Sequence, residues 1–514
     1  MSAAFDTIVV GAGHNGLVCA AKLARAGQRV LVLEARAHVG GLCAAHEFAP
    51  GFHSSAGAHA LYGLSQDLIK ELELERHGFR YAAHGLATVS VGSEGRVRIE
   101  GDRVSNVPSD DAAQWPIFAG RMARFARFLS HVLKTTPPRL GVESDRWALA
   151  SLGLRLRLLG RRDMREFLRI VGMNVYDLAT DEFASPLLNG ALGFDATLGT
   201  NFGPRAPGTV LTLLHRWATA SMSPMGLALP AGGMGTLARA LSSSAEASGA
   251  TVRTSAPARR FIVTDDRIVG VELQSGETVM AKRVVSNADP RRTFFDLLGT
   301  EHLDTGFVRR VDHYRSRGLT ARLNLALDRL PTFRHLDAPD HGARILIAPT
   351  LDDIERAFDA SKYGELPEHP VLEVFLPTVH DPSLAPAGRH VLSANVQFAP
   401  TQSKNGWAAD RGTLLRTILA TLEAHAPGIG TSVVAEELLT PADLESEYGA
   451  AGGHWHHGEL AFDQFLMVRP VPGAAQYATP VAGLYLCGAG SHPGGGVTGL
   501  PGRLAAERIL RDAR

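Results

Sequence analysis

The chain opens on an apolar run, Phe5-Asp-Thr-Ile-Val-Val10, whose length and composition predict a short buried strand. Residues 14–26 then space their apolar side chains as a helix would and stop at Gly27, and 29–34 return to a strand-like run. Strand, helix and strand in that order predict a βαβ unit. From about 115 to 219 the period turns helical, with joints at Thr136-Pro-Pro and Gly203-Pro-Arg-Ala-Pro-Gly. After Pro230-Ala-Gly-Gly-Met-Gly a helical stretch leads to Gly249-Ala-Thr-Val-Arg. Alternating positions at Ile262-Val-Thr, Ile268-Val-Gly-Val-Glu-Leu and Arg283-Val-Val-Ser then predict strands that resume the first sheet. Strand-like runs at 321–327, 371–376 and 390–398 belong to a later insertion. Gly483-Leu-Tyr-Leu-Cys predicts a last strand before a terminal helix that ends near Leu510.

A length of 514 residues exceeds what one small core organises and points to two packed domains. Basic and acidic residues balance at 52 each, so the chain lacks the cationic surplus that a nucleic-acid partner requires. Cys19, Cys43 and Cys487 form neither a CxxC pair nor a metal spacing, which fits a reducing cytoplasm. The first strand begins by Phe5, too early for a leader peptide. No apolar run reaches the roughly 18 residues of a membrane span. The expectation is a cytoplasmic protein, with peripheral membrane contact left open.

Gly11-Ala-Gly13-His14-Asn15-Gly16 sits where a GxGxxG fingerprint belongs, after a strand and opening a helix. Its glycines allow a tight turn, close approach of the backbone to a pyrophosphate, and close helix–strand packing. The helix start adds unpaired N–H groups and partial positive charge. Glu34 closes the second strand, where a carboxylate accepts both ribose hydroxyls and would repel a 2′-phosphate. The fingerprint alone leaves NAD and FAD open.

Two further segments resemble a known family. Glu34-Ala35-Arg36-Ala-His-Val-Gly40-Gly41-Leu42-Cys is similar to the paired-glycine motif of flavin amine oxidases and phytoene desaturases. The segment from Gly483 through Gly488-Ala-Gly490-Ser-His492-Pro-Gly-Gly495-Gly496-Val497-Thr-Gly499 to Gly502 resembles the C-terminal flavin segment of phytoene desaturases. Its nearest likeness is to the branch named after pyridine nucleotide-disulphide oxidoreductase domain-containing protein 2. No second GxGxxG and no CxxC supports the activity in that name. The resemblance implies an α/β fold with a Rossmann-like FAD-binding domain, discontinuous over 1–90, 225–300 and 455–514. A mixed-sheet and helical substrate domain is inserted at 91–224 and 301–454.

It implies FAD held by Gly11, Gly13, His14, Asn15, Gly16, Glu34, Ala35, Arg36, Gly40, Gly41 and Leu42, and by Gly488, Gly490, Gly495, Gly496, Val497 and Gly499. Ala258 stands where the family commonly has a valine whose backbone meets adenine; alanine keeps those backbone groups.

The flavin ring itself accepts a hydride, so little acid–base machinery is needed. His492, within the glycine-rich segment, is the first catalytic candidate, as proton relay or electrostatic partner. His457 and His59 follow as cleft-lining candidates. His454-Trp-His456-His457 invites a metal reading, but neighbouring histidines on an extended segment point to opposite faces and no further ligands accompany them, so no metal is expected. Flavin amine oxidases place a lysine near the flavin and an aromatic cage over it. Only Lys282 has a strand context here, and no Tyr or Trp cluster joins the terminal glycines.

This favours desaturation or dehydrogenation of a lipophilic small molecule at a carbon–carbon bond, with oxygen or a quinone as acceptor. A redox-neutral isomerisation, amine oxidation and a non-catalytic flavin-bearing interaction protein stay open. The span 147–170 predicts a single amphipathic helix, with Leu149, Leu152, Leu156, Leu159 and Phe167 on one face. Arg155, Arg161, Arg162, Arg165 and Arg169 lie opposite, a pattern suited to a membrane interface or to core packing.

Overall fold

The computed structural model describes residues 5–139 and 145–513. Phe5–Val10 pairs in parallel with Val30–Leu33 on one side and with Thr278–Ser286 on the other. Thr251–Arg253 extends the sheet beyond Val30–Leu33, and Leu484–Leu486 joins in parallel beside Thr278–Ser286. These strands are buried on both faces, which is why they read as continuous apolar runs rather than alternating ones. Arg267–Leu273 and Ala258–Thr264 add an antiparallel extension, completing a seven-stranded sheet.

Helices His14–Arg25, Met234–Ala247 and Leu500–Asp512 cover one face of this sheet through Leu17, Leu23, Leu237, Leu241, Leu504 and Ile509. The other face packs on Phe294, Leu297 and Phe307. This is a Rossmann-like unit assembled from distant parts of an α/β chain.

The second sheet has eight strands in the order Val433–Leu439, Thr320–Leu327, His390–Gln397, Leu372–Phe375, Arg344–Ile347, Thr88–Val91, Arg96–Glu100 and Arg103–Ser105. Thr88–Val91, which straddles the expected boundary at 90, lies in this second sheet. Thr320–Leu327 is buried at every position, yet its two faces differ. Ala321, Leu323, Leu325 and Leu327 pack with Leu392, Ala394 and Val396 under helix Trp407–His425. The alternate residues Arg322, Asn324, Ser393, Asn395 and Glu373 emerge on the opposite face and are also buried. Helices Ser109–Leu133, Pro186–Thr197 and Thr209–Ala220 pack around Trp115, Phe118 and Phe125.

The single helix expected over 147–170 is two helices, Arg146–Leu158 and Arg161–Ile170, broken at Gly160, whose φ is 86°. A left-handed residue at that point ends the first helix and reorients the second. Leu152, Leu156, Leu159 and Phe167 do turn toward the helical core. Trp147, Leu154, Leu158 and Leu168 stay exposed. Among the described residues no helix is long and apolar enough to cross a membrane.

Candidate functional site

The turn after Phe5–Val10 enters helix His14–Arg25 with Gly13 at its N-cap. A Cβ on Gly16 would lie 2.2 Å from the Gly11 carbonyl oxygen, so only glycine lets the helix start so close to the turn. The first N–H groups of that helix have no partner within it. Gly11, Gly13, His14 and Asn15 line a cavity of about 320 Å³, together with Glu34, Ala35, Arg36, Gly40, Gly41, Leu42 and Ala258. Gly16 lies behind this wall as a packing residue.

The Glu34 carboxylate accepts hydrogen bonds from the N–H of Ala12 (2.7 Å) and of Arg36 (2.9 Å), which ties the end of the second strand to the glycine turn. The Arg36 guanidinium lies 4.0 Å from the centre of the Tyr448 ring.

Several polar atoms of residues lining the cavity are buried without a partner: His14 Nε2, Arg36 Nη1, Trp455 Nε1 and His457 Nδ1. Free amides at a helix start, a carboxylate at the end of the second strand and unspent polar atoms around the space fit a dinucleotide. The glycine turn and Arg36 would hold the pyrophosphate, and Glu34 the ribose.

Beyond His14, Leu42, Trp455 and Ala489, which line both spaces, lies a second cavity of about 110 Å³. Gly496 and Val497 form part of its wall, and Leu198 and Leu227 supply apolar surface. Its far end is polar because of sheet register. Arg322 pairs opposite Asn395, and Asn395 opposite Glu373, across three neighbouring strands.

The Glu373 carboxylate accepts from Arg344 Nε on one oxygen; on the other it accepts from His59 Nε2 (3.0 Å) and Asn395 Nδ2 (2.7 Å). Burial raises the Glu373 carboxyl, but Arg344, His59 and Arg216 outweigh it and hold the group well below the carboxylate range. Asp195 is shared by Arg344 (2.6 Å) and Arg216 (3.1 Å).

His59, the third catalytic candidate, faces this second cavity. Its Nε2 lies against the Glu373 carboxylate, which can only accept, so in the neutral ring Nε2 carries the hydrogen and Nδ1 accepts from the Ser393 hydroxyl at 3.3 Å. Burial, followed by the charge of Arg322, lowers His59 to about 4, so it is neutral and both nitrogens are engaged.

His457 lines the dinucleotide cavity, with burial and then the neighbouring His14 and His454 lowering it to about 3. His454, His456 and His457 form a turn rather than the extended segment expected: the His457 N–H bonds to the His454 carbonyl (2.9 Å) and φ at His457 is 54°. No group of His, Cys, Asp or Glu among the described residues is arranged to hold a metal ion.

His492 is fully buried and lines neither cavity. Its imidazole faces the backbone at Val132 and Thr135, by the end of helix Ser109–Leu133, and burial lowers it to about 3. Of the terminal glycines, Gly496 lines the second cavity and none of the others lines either of these two. Gly488 packs on the Asn287 backbone, Gly490 on Pro290, Gly495 on the His456 ring, and Gly499 caps the last helix.

Sequence reasoning did not single out Asn287, Tyr448 and Trp455 at the first cavity, or Tyr62, Arg216, Glu373 and Asn395 at the second. Asn287 follows Thr278–Ser286 at the carboxyl end of a parallel strand, where ligands of such sheets bind. Glu373 and Asn395 show in sequence as polar residues alternating within apolar strands.

The description of flavin-containing amine oxidoreductases matches residues 16–510. A rat protein called pyridine nucleotide-disulfide oxidoreductase domain-containing protein 2 is 33% identical over 99% of this chain and 94% of its own length. A lycopene-forming phytoene desaturase of Pantoea ananas is 28% identical over 98% of both chains. The solved structure of a putrescine oxidase bound to putrescine superposes with a TM-score of 0.64 at 17% identity, covering 99% of each chain, a likeness of fold. With nearly its whole length matched and a cradle that fits the dinucleotide, the chain belongs to the flavin-containing amine oxidoreductase family and is an FAD-dependent oxidoreductase.

Proposed function

We propose that this enzyme dehydrogenates a small, largely apolar molecule at a carbon–carbon bond rather than at an amine. The observation that carries this reading is the state of the carboxylates in the second cavity. An ammonium substrate needs a carboxylate not already faced by cations, and Glu373, which lines the second cavity, takes three donors from the protein and lies against the charges of Arg344 and Arg216. Asp195 is held between two guanidinium groups. Among the described residues no lysine lines either cavity.

FAD, when bound, supplies the acceptor for a hydride taken from carbon. The chain's part is to hold the substrate against the Leu198 and Leu227 walls and to keep water out. The neighbouring carbon gives up a proton, leaving a carbon–carbon double bond. His14 receives it: this residue lines both cavities, its Nε2 has no partner, and burial lowers it to about 4, so its ring is neutral at physiological pH. Oxygen or a quinone takes the electrons.

The test is anaerobic reduction of the purified flavoprotein by a panel of lipophilic compounds and amines, with mass spectrometry of what changes. Products that lose two hydrogens and keep every other atom support the reading. Reduction by amines with loss of nitrogen rejects it.

A further inference from the structure

The second cavity contains one charged group whose hydrogen-bonding capacity the chain leaves unused. Arg216, on helix Thr209–Ala220, is held at Nε by Asp195 (3.1 Å) and lies 4.7 Å above the Tyr62 ring. Its nearest contact to Glu373 is 3.8 Å, too long for a hydrogen bond, so its terminal N–H groups open onto the cavity. Around it, Arg344 faces the carboxylates of Asp195 and Glu373, and the buried Arg322 faces those of Glu373 and Glu437. At the cavity wall Arg216 therefore presents a planar fork of donors that, among the described residues, no protein group hydrogen-bonds. Such a fork matches a carboxylate, whose two oxygens it meets in parallel.

We propose that Arg216 anchors a carboxylate at the polar end of this cavity, so that the substrate is an aliphatic acid whose apolar part extends along Leu198 and Leu227 toward His14. This deepens the carbon–carbon reading above and rests on it for the reaction, though not for the binding. The geometry assigns selectivity to opposition as well as attraction. An ammonium would be repelled by the Arg216 guanidinium, and an alcohol could not meet both arms of its fork.

The test titrates the FAD-loaded protein with hexanoate, hexan-1-ol and hexylamine, short probes chosen for a cavity of about 110 Å³. Binding is read from perturbation of the flavin absorption band and, separately, by calorimetry. Hexanoate is expected to bind at least about tenfold more tightly than either neutral or cationic analogue, which corresponds to roughly 1.4 kcal/mol. Arg216→Met should bring hexanoate to the affinity of the alcohol. Arg216→Lys, which keeps charge but loses the fork, should fall between. Flavin content and melting temperature of each variant establish that the fold is intact, and Asp195 retains Arg344 as a partner in both.

Equal affinity for the three probes, preference for hexylamine, or undiminished hexanoate binding in Arg216→Met overturns the anchor. 2-Aminohexanoate separates this inference from the reading beneath it. If it reduces the flavin with release of ammonia, and Arg216→Met abolishes its binding, the carbon–carbon reading falls and the anchor stands.

Discussion

Replacing Asp289 by asparagine should stabilise the protein at neutral pH and flatten its stability profile in mild acid. Asp289 follows the strand Thr278–Ser286, beside Asn287 of the dinucleotide cavity, and is 1% exposed. One carboxyl oxygen accepts from the Arg292 N–H (3.0 Å); the other has no partner. Burial raises the group from 3.8 to about 6, against the lowering effect of the Arg292 amide and charge.

A folded-state pKa above the unfolded value means that the native state favours the protonated form. The group's stabilising contribution is complete below about pH 4 and is lost as the pH rises through about 6. A shift of about two units corresponds to roughly 3 kcal/mol by linkage. Asparagine keeps the acceptor for Arg292 and carries no charge, but its amide nitrogen remains unpartnered, which offsets about 1–2 kcal/mol. The expected net gain is about 1–2 kcal/mol above pH 7, shrinking toward the acid side.

Thermal unfolding of the FAD-loaded wild type and Asp289→Asn, followed from about pH 4 to pH 8, gives the comparison. A variant that melts earlier at every pH, or whose pH profile parallels the wild type, refutes the assignment of a buried, destabilising charge.

Glu34→Ala removes the carboxylate that binds two backbone amides and should weaken FAD binding by roughly 1–3 kcal/mol; apoprotein titration with unchanged affinity would remove Glu34 from the site. His492→Ala should lower the melting temperature, by the several degrees that losing a buried ring brings, while fully FAD-loaded enzyme is reduced at the wild-type rate. A rate loss of about 10²-fold or more with normal stability would return it to the chemistry. The exposed Trp147 and Leu158, 85% and 75% accessible beside Arg155, Arg157, Arg161 and Arg162, should give weak, salt-screened binding to anionic vesicles that Trp147→Ser reduces. Flotation assays without binding at low salt would refute this.

The dinucleotide half of the site was legible because it depends on local backbone geometry. Gly11 through Gly16 and Glu34 must stand at fixed places along one βαβ unit, and the structure brings Gly11, Gly13, His14, Asn15 and Glu34 to one cavity wall. The substrate half was not, because it depends on register between strands far apart in sequence. Arg322, Glu373 and Asn395 meet only through pairing of Thr320–Leu327, His390–Gln397 and Leu372–Phe375. The runs at 321–327, 371–376 and 390–398 are legible as strands from their apolar residues, but that pattern leaves open what lies on the face that carries the polar ones. In the fold both faces are buried. His492 misled for a related reason. The position of a glycine-rich turn is visible in sequence, but the direction of a side chain leaving it depends on its packing partner, here the end of helix Ser109–Leu133.

The central claim is that electrons leave a carbon skeleton rather than an amine. Its most direct measurement mixes FAD-loaded enzyme anaerobically with an aliphatic acid and with the amine of the same skeleton, recording flavin bleaching and the mass of the organic product. The account predicts bleaching by the acid, with a product lighter by two hydrogens and no ammonia. Bleaching by the amine with stoichiometric ammonia, while the acid leaves the flavin oxidised, would contradict it.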